Sequence, residues 1–186
     1  MKRTERIFIT LSLLCLLPCT ILSQTSFYRV INGSVALTSS APLELIKARS
    51  SRVQAIVDPT RRSFKFSIPI NSFQGFNTDL QRQHFNTNYM ESSMYPEATF
   101  VGNFIEGIDL TTDGTHQVRA KGRLTIHGVS RERIITGTIR IQGGKLRISS
   151  DFSVLLEDHN IAIPKIVYQK IAEEIKIHIQ AELGQS

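Results

Sequence analysis

Histidines are the residues of this chain best suited to supply a general base or metal ligands. The sequence contains five of them: His84, His116, His127, His159 and His178. No two are spaced as in H-x-x-x-H, which would place two imidazoles on one helix face for a metal. His127 stands before Gly128 at the expected end of a strand, which favours a hydrogen bond in a turn over catalysis. His178 alternates with Ile177 and Ile179, which predicts a place on the polar face of a strand.

His84 and Glu91 are seven residues apart, so a helix would bring them to one side, where they would cap it or fix the loop at Tyr95 and Pro96. The sequence has no Gly-x-Ser-x-Gly elbow, phosphate-binding glycine loop or paired-carboxylate spacing. We therefore expect a protein that is not an enzyme and uses no metal or cofactor. Two alternatives stay open: an enzyme, and an adaptor that binds proteins through residues 78–94.

The N-terminal segment is typical of a secretory signal peptide. Lys2, Arg3 and Arg6 precede a largely apolar run over residues 7–22. Pro18 and interspersed hydroxyl side chains make this run weak for a membrane span, which needs about 20 apolar residues. A cleaved signal is therefore favoured over a retained membrane anchor.

The expected cleavage follows Ser23, so residues 1–23 are a signal peptide and residues 24–186 a single domain. The expected location is the periplasm or the exterior of the cell. Both cysteines, Cys15 and Cys19, lie in the signal, and neither follows the small residue typical of a lipoprotein signal. The mature protein would then have no disulfide, thiol catalysis or cysteine metal site.

The charge of the chain is mildly basic, with 22 Lys and Arg against 16 Asp and Glu. The basic residues are scattered along alternating segments, and the longest basic run is the pair Arg61 and Arg62. This distribution argues against nucleic-acid binding. A weak and transient contact with anionic membrane surfaces is compatible with it.

Alternation of apolar and polar residues predicts long strands. Phe64, Phe66, Ile68 and Ile70 alternate with polar residues and Pro69, and the same period recurs over residues 118–126, 146–156 and 175–183. Shorter strands are predicted over residues 27–32, 34–38, 52–58, 98–105 and 133–142. The predicted turns fall at Gly33, Asp58-Pro59, Asp113-Gly114 and Gly143-Gly144.

Two segments without this alternation, residues 42–48 and 78–90, are predicted to be short helices. Pro42 suits a first helical turn, and Thr78 can cap the backbone amides that follow it. A third helical turn is expected after Pro164.

Long consecutive strands with one apolar face need either a second sheet or closure into a barrel to bury that face. A closed barrel of about eight strands can hold one small apolar ligand. Composition alone leaves open whether the interior is filled or hollow.

Three ordered motifs resemble the YceI-like family. The first is HFNTNYMESSMYPEATFVG over residues 84–102, and the second is GRLTIHGV over residues 122–129. The third is an F-x-V segment at residues 152–154 followed by Asp158, Ile161 and Pro164. The resemblance covers roughly residues 64–183 and weakens before Phe64.

The resemblance implies an all-β fold, an antiparallel lipocalin-like closed β-barrel of about eight strands with one or two short helices. It also implies a hydrophobic tunnel for a polyisoprenoid or another amphiphilic lipid, in an exported protein. The sequence leaves open a homodimer that shares such a tunnel, and the two alternatives become an enzyme acting on a lipid and an envelope adaptor. The alternate apolar residues of the strands would then point inward and line the tunnel. They are Phe64, Phe66, Ile68, Phe100, Phe104, Leu124, Ile126, Phe152, Val154, Ile175, Ile177 and Ile179.

Overall fold

The computed structural model describes residues 27–186, so the predicted signal peptide lies outside the described residues. Antiparallel strands make up most of the described chain. They are β1 Tyr28–Ser40, β2 Leu45–Ser50, β3 Gln54–Asp58, β4 Ser63–Pro69, β5 Glu97–Phe104, β6 Gly114–Ile126, β7 Val129–Gln142, β8 Lys145–Leu155 and β9 Glu174–Gln185. The strands form one sheet in the order β2-β1-β3-β4-β5-β6-β7-β8-β9.

Pairing between β1 and β9 closes this sheet into a barrel. The register runs from Tyr28 opposite Gln185 to Ser39 opposite Ile175. The first residues of β1 also pair with β3, whereas β2 pairs with the later part of β1 as an additional strand outside the ring of eight. The prediction of a closed antiparallel barrel of about eight strands is confirmed.

Residues 42–48 are not helical, so that prediction is wrong. The amide of Ala41 donates to the carbonyl of Glu44 at 3.0 Å in a tight turn. β2 then pairs with β1 along its whole length. An isolated helical turn is costly to nucleate, and the cross-strand bonds of the hairpin therefore override the local preference of Pro42.

Gly33 is not a turn, because β1 runs through it with a local register shift nearby. A Cβ at this position would lie 2.6 Å from the side chain of Val53 and 3.1 Å from the carbonyl oxygen of Gln180. The glycine thus permits a close approach of neighbouring segments rather than a chain reversal. The two strands predicted over residues 27–32 and 34–38 are consequently one strand.

The other helical predictions are confirmed. Helix α1 spans Asp79–His84, and the hydroxyl of Thr78 caps it by accepting from the amide of Gln81 at 3.1 Å. The helix continues into a wider π-helical turn, Phe85–Tyr89. The third predicted helical turn is the 3-10 turn Lys165–Val167.

The two ends of the barrel differ in packing. At one end, which we call the filled end, the side chains of Tyr28, Ile139, Leu146 and Leu183 are fully buried. The Tyr28 hydroxyl donates to the Leu110 carbonyl at 3.0 Å, so the loop between β5 and β6 closes this end. At the opposite end, the segment between β4 and β5, which includes α1, packs over the interior.

Candidate ligand-binding cavity

An apolar cavity of about 420 Å³ occupies the barrel beyond the filled end. This volume lies in the range of sites that enclose small molecules. The structure places all twelve side chains of the predicted tunnel on the wall of this cavity: Phe64, Phe66, Ile68, Phe100, Phe104, Leu124, Ile126, Phe152, Val154, Ile175, Ile177 and Ile179. Their contact with a ligand stays a prediction.

The interior is hollow at this level of the barrel. Five of the twelve side chains are buried. The other seven are partly exposed although they face the interior of the barrel, and they are Phe66, Phe100, Ile126, Phe152, Ile175, Ile177 and Ile179. A close-packed core leaves little accessible surface on inward side chains. Empty space inside the barrel accounts for this exposure, because these residues border the cavity.

Four phenylalanine rings form the floor of the cavity, where it meets the filled end. The ring centroid of Phe64 lies 5.9 Å from that of Phe66, 5.1 Å from that of Phe100 and 5.0 Å from that of Phe104. Such edge-on and tilted pairs contribute about 0.5–1.5 kcal/mol each beyond their burial. The floor is therefore apolar and consists of mutually packed rings.

Sequence reasoning missed the aromatic cover of the cavity, formed by side chains of residues 73–90. The ring of Phe85 lies 5.8 Å from that of Phe73 and 5.0 Å from that of Phe76, measured between centroids. Tyr89 also lines the cavity, and burial raises the pKa of its phenol. The density of aromatic residues in this stretch is the sequence signal that points to such a cover.

Polar and titratable groups line the cavity at one end, which we call the mouth. Here α1, the turn before β2 and the segment around residues 165–171 come together, and the cavity borders Glu44, Gln81, His84 and Lys170. The side-chain amide of Gln81 donates to the Glu44 carboxylate. Lys170 is exposed, so the cavity reaches the protein surface beside it. The lining is thus mainly apolar, and its carboxylate, imidazole and ammonium side chains, those of Glu44, His84 and Lys170, are at the mouth, as an amphiphilic molecule would require.

His127 has a structural position outside the cavity lining. Its Nε2 lies 2.7 Å from a carboxylate oxygen of Glu91, and its Nδ1 lies 3.1 Å from the carbonyl oxygen of His159. The ring of Tyr95 packs edge-on against it at 4.6 Å between centroids. Glu91 is therefore paired with His127 and not with His84, because the chain leaves the helical path before Glu91, whose φ is +43°.

His159 is a buried histidine whose environment the sequence did not indicate. It is fully buried, and its Nδ1 donates to the carbonyl of Val129 at 3.0 Å. Its Nε2 has no hydrogen-bond partner among the described residues. Desolvation by burial lowers the pKa of the ring, so the neutral form is favoured.

The remaining groups of interest lie on the outer surface. His178 is on the polar face of β9, as predicted, with its Nδ1 2.6 Å from a carboxylate oxygen of Asp151 on β8.

Among residues 27–186, no group of three or more His, Cys, Asp or Glu side chains is arranged to hold a metal ion. No helix in this part of the chain is long and apolar enough to cross a membrane.

A closed antiparallel barrel with an apolar cavity and a polar mouth defines a hollow β-barrel of the lipocalin-like kind. The YceI-like domain matches residues 32–183. The chain therefore belongs to the YceI-like family. No curated protein matches the chain.

Solved structures show the same fold at low sequence identity. A polyisoprenoid-binding domain from Saccharophagus degradans, implicated in plant cell wall breakdown, is 14% identical with a TM-score of 0.73, over 86% of this chain and 98% of that one. BcnA of Burkholderia cenocepacia is 18% identical with a TM-score of 0.67, over 81% and 95%. The YceI protein of Campylobacter jejuni is 19% identical with a TM-score of 0.56, over 75% and 84%.

Proposed function

We propose that this protein binds a long-chain isoprenoid or a similar amphiphilic lipid inside its barrel and leaves the ligand chemically unchanged. The observation that carries the proposal is the distribution of polarity along the cavity. The wall is lined mainly by apolar strand residues, and the lining side chains of Glu44, His84 and Lys170 lie on the segments that meet at the mouth. Membership of a family with a polyisoprenoid-binding structural relative supports the same ligand class.

The cavity wall can supply enough binding energy without any catalytic group or cofactor. Burying about ten CH₂ units at roughly 0.8 kcal/mol each gives about 8 kcal/mol before ordering costs. This free energy corresponds to micromolar binding. A longer isoprenoid would bury more surface and offset the cost of ordering its chain.

In this proposal, the apolar chain of the ligand contacts the twelve wall residues, with Phe100, Leu124, Phe152 and Ile177 on four different strands around it. The polar head lies at the mouth, where Glu44 is available to accept hydrogen bonds and Lys170 to donate them.

The rim of the mouth supports a transient contact with a membrane surface as part of the same function. Leu43, Leu80, Ile166 and Tyr168 lie on the segments that surround the mouth and are all exposed, Ile166 to 91%. A lipid that left the mouth through water would expose its chain at a cost of about 0.8 kcal/mol per CH₂. Contact between this rim and a bilayer would avoid that exposure during transfer.

We also propose that the protein is exported to the periplasm or the exterior through its N-terminal signal. The charged start and apolar run of residues 1–23 support this proposal. Intact-mass measurement on protein from the cell envelope should give a mature species beginning near Gln24. A full-length mass in the membrane fraction would contradict cleavage.

Mass spectrometry of lipids released from gently purified protein tests the ligand class directly. We expect a stoichiometric long-chain amphiphile, and we expect delipidated protein to take it up again without converting it. Formation of a product from that lipid would identify an enzyme instead. Neither bound lipid nor uptake would overturn the proposed function and favour the adaptor alternative.

A further inference from the structure

The wall of the barrel forks between β7 and β8. The two strands leave the Gly143-Gly144 turn as a ladder that runs from Gln142 opposite Lys145 to Thr138 opposite Ser149. Beyond this point β7 still pairs with β6, and β8 still pairs with β9. Within the described chain, however, no ladder pair joins residues 129–137 to residues 150–155.

Side chains replace the missing ladder at the start of the fork. The Ser150 hydroxyl donates to the carbonyl of Thr136 at 2.6 Å. A Cβ at Gly137 would lie 2.9 Å from the carbonyl oxygen of Ser149. The glycine therefore lets the strands approach closely just beyond the last ladder pair, Thr138 opposite Ser149, where they begin to separate.

Two arginines of β7 bridge the wider part of the fork. An amino group of Arg133 donates to the carbonyl of Ser153 at 2.9 Å, and its other amino group lies 3.8 Å from a carboxylate oxygen of Asp158. The Nε of Arg131 donates to the carbonyl of Asp158 at 2.7 Å. In the ladder with β6, Arg131 is opposite Leu124 and Arg133 is opposite Gly122. Both arginines therefore belong to the set of alternate residues of β7 that faces the interior. Elsewhere on that strand the residues of this set are apolar.

The cavity extends to this fork. Ile135, Thr136 and Gly137 line it from β7, and Ser150 and Phe152 line it from β8. Thr136 is also exposed, so the cavity lining at the fork includes a residue that solvent reaches.

The cavity lining thus includes exposed residues on two different segments, Lys170 at the mouth and Thr136 at the fork. Ile134 and Leu155 add exposed apolar side chains along the outer edges of the fork, with exposures of 57% and 40%.

We propose that the fork between β7 and β8 is a lateral portal through which the apolar chain of a lipid enters and leaves the cavity, and that Arg133 is its latch. This inference rests on the proposed lipid-binding function. Opening the barrel along a continuous ladder, such as β6 with β7 or β8 with β9, would break ladder hydrogen bonds and leave buried backbone groups unpaired. At the fork those bonds are already absent, so rearrangement of a few side chains suffices.

A reversible crosslink across the fork tests the portal. In the full chain with Cys15→Ser and Cys19→Ser, the pair Ile134→Cys and Ser153→Cys places one thiol on each edge, to be joined by a bismaleimide whose spacer contains a disulfide. The matched control joins Arg140→Cys to Arg147→Cys, which are ladder partners on the paired part of the same strands. The probe is a fluorescent polyene fatty acid.

We expect the fork crosslink to slow probe uptake at least tenfold and reduction of the spacer to restore it, whereas the control crosslink leaves uptake unchanged. Opening the latch with Arg133→Ala should speed uptake and release several-fold, and Arg123→Ala on the outer face of β6 should not. Unchanged uptake through a crosslinked fork would overturn the portal and leave lipid binding intact. A parent protein that takes up no probe and carries no lipid would overturn both.

Discussion

Two histidines at the base of the β6–β7 turn hold together segments that are distant in sequence. His127 lies at the turn with φ of +50° and bridges Glu91 and the carbonyl of His159. Tyr95 packs on the ring and on Gly128, where a Cβ would lie 2.5 Å from the tyrosine ring. Residues of the first two motifs of the family resemblance therefore meet at this cluster, next to His159 in the segment of the third motif.

Replacing His127 with Asn should lower stability more than it lowers ligand uptake. Asn tolerates the left-handed backbone conformation but cannot reach both acceptors, so we expect a loss of about 1–3 kcal/mol in the free energy of unfolding. Urea denaturation measures this loss, with His84→Asn at the mouth as the control that should leave stability nearly unchanged. A folded His127→Asn protein that binds lipid but loses a measurable turnover would restore the enzyme hypothesis.

His159 should make the stability of the protein depend on pH below neutrality. Burial lowers the pKa of its ring in the folded protein below the ordinary value of 6.5, so the unfolded chain binds the proton more readily. Its contribution is therefore fully present above pH 6.5, decreases as the pH falls from there towards the lowered pKa, and levels off below it.

The unfolding midpoint measured between pH 7.5 and about 5 tests this effect. His159→Asn keeps a donor for the Val129 carbonyl and should flatten this part of the pH profile, while His116→Asn should not. Identical profiles for the parent and His159→Asn would show that the buried ring does not titrate in this way.

At the scale of elements, β5 and β6 approach each other closely at a pair of facing glycines. Gly102 and Gly122 are ladder partners, and both belong to the motifs of the family resemblance. A Cβ on Gly102 would lie 2.1 Å from the carbonyl oxygen of Lys121 and 2.5 Å from the Cα of Gly122. The two strands can therefore keep this separation only if both positions lack side chains.

Gly102→Ala should force β5 and β6 apart and cost at least about 1–3 kcal/mol in the free energy of unfolding, as overpacking does elsewhere. Gly107→Ala is the matched control, since its Cβ would meet only the end of the Arg62 side chain at 3.2 Å. We expect the control to stay within about 0.5 kcal/mol of the parent. Equal urea midpoints for the two variants would contradict the close-contact explanation.

The whole molecule combines a solid half and a hollow half in one barrel. The filled end contains fully buried side chains such as Leu146 and Leu183, whereas the cavity begins at the ring of Phe64. Packing at the filled end supplies stability without disulfides in the described chain. The hollow half is left free to accommodate a ligand.

This division predicts opposite results for one substitution at two positions. Leu124→Trp should extend into the cavity, block lipid uptake and cost little stability. Leu146→Trp at the filled end should cost about 1–3 kcal/mol or more because no space is available. Melting temperature and co-purified lipid report on both variants. A strongly destabilised Leu124→Trp protein, with a parent that never carries lipid, would indicate a solid barrel.

Sequence alone determined which residues face inward, because the period of two in a strand assigns each side chain to a face. This is why the twelve inward positions could be predicted, whereas closure into a barrel was predicted from the resemblance to the YceI-like family. The sequence was also enough to identify caps and turns that depend on single residues, such as the helix cap at Thr78 and the hairpin turn at Gly143-Gly144.

Only the tertiary structure decided how much space the inward faces of the strands enclose. It also decided which segments each part of the backbone bonds to or packs against. Pro42 begins no helix because a hairpin partner is present, and Gly33 makes no turn because Val53 and Gln180 pack against it. The buried ring of His159 and the fork at Gly137 likewise depend on strands that are remote in sequence. Alternation fixes the direction of a side chain, but the distance to the opposite wall depends on how eight strands close, and so only the folded barrel shows that its interior is hollow.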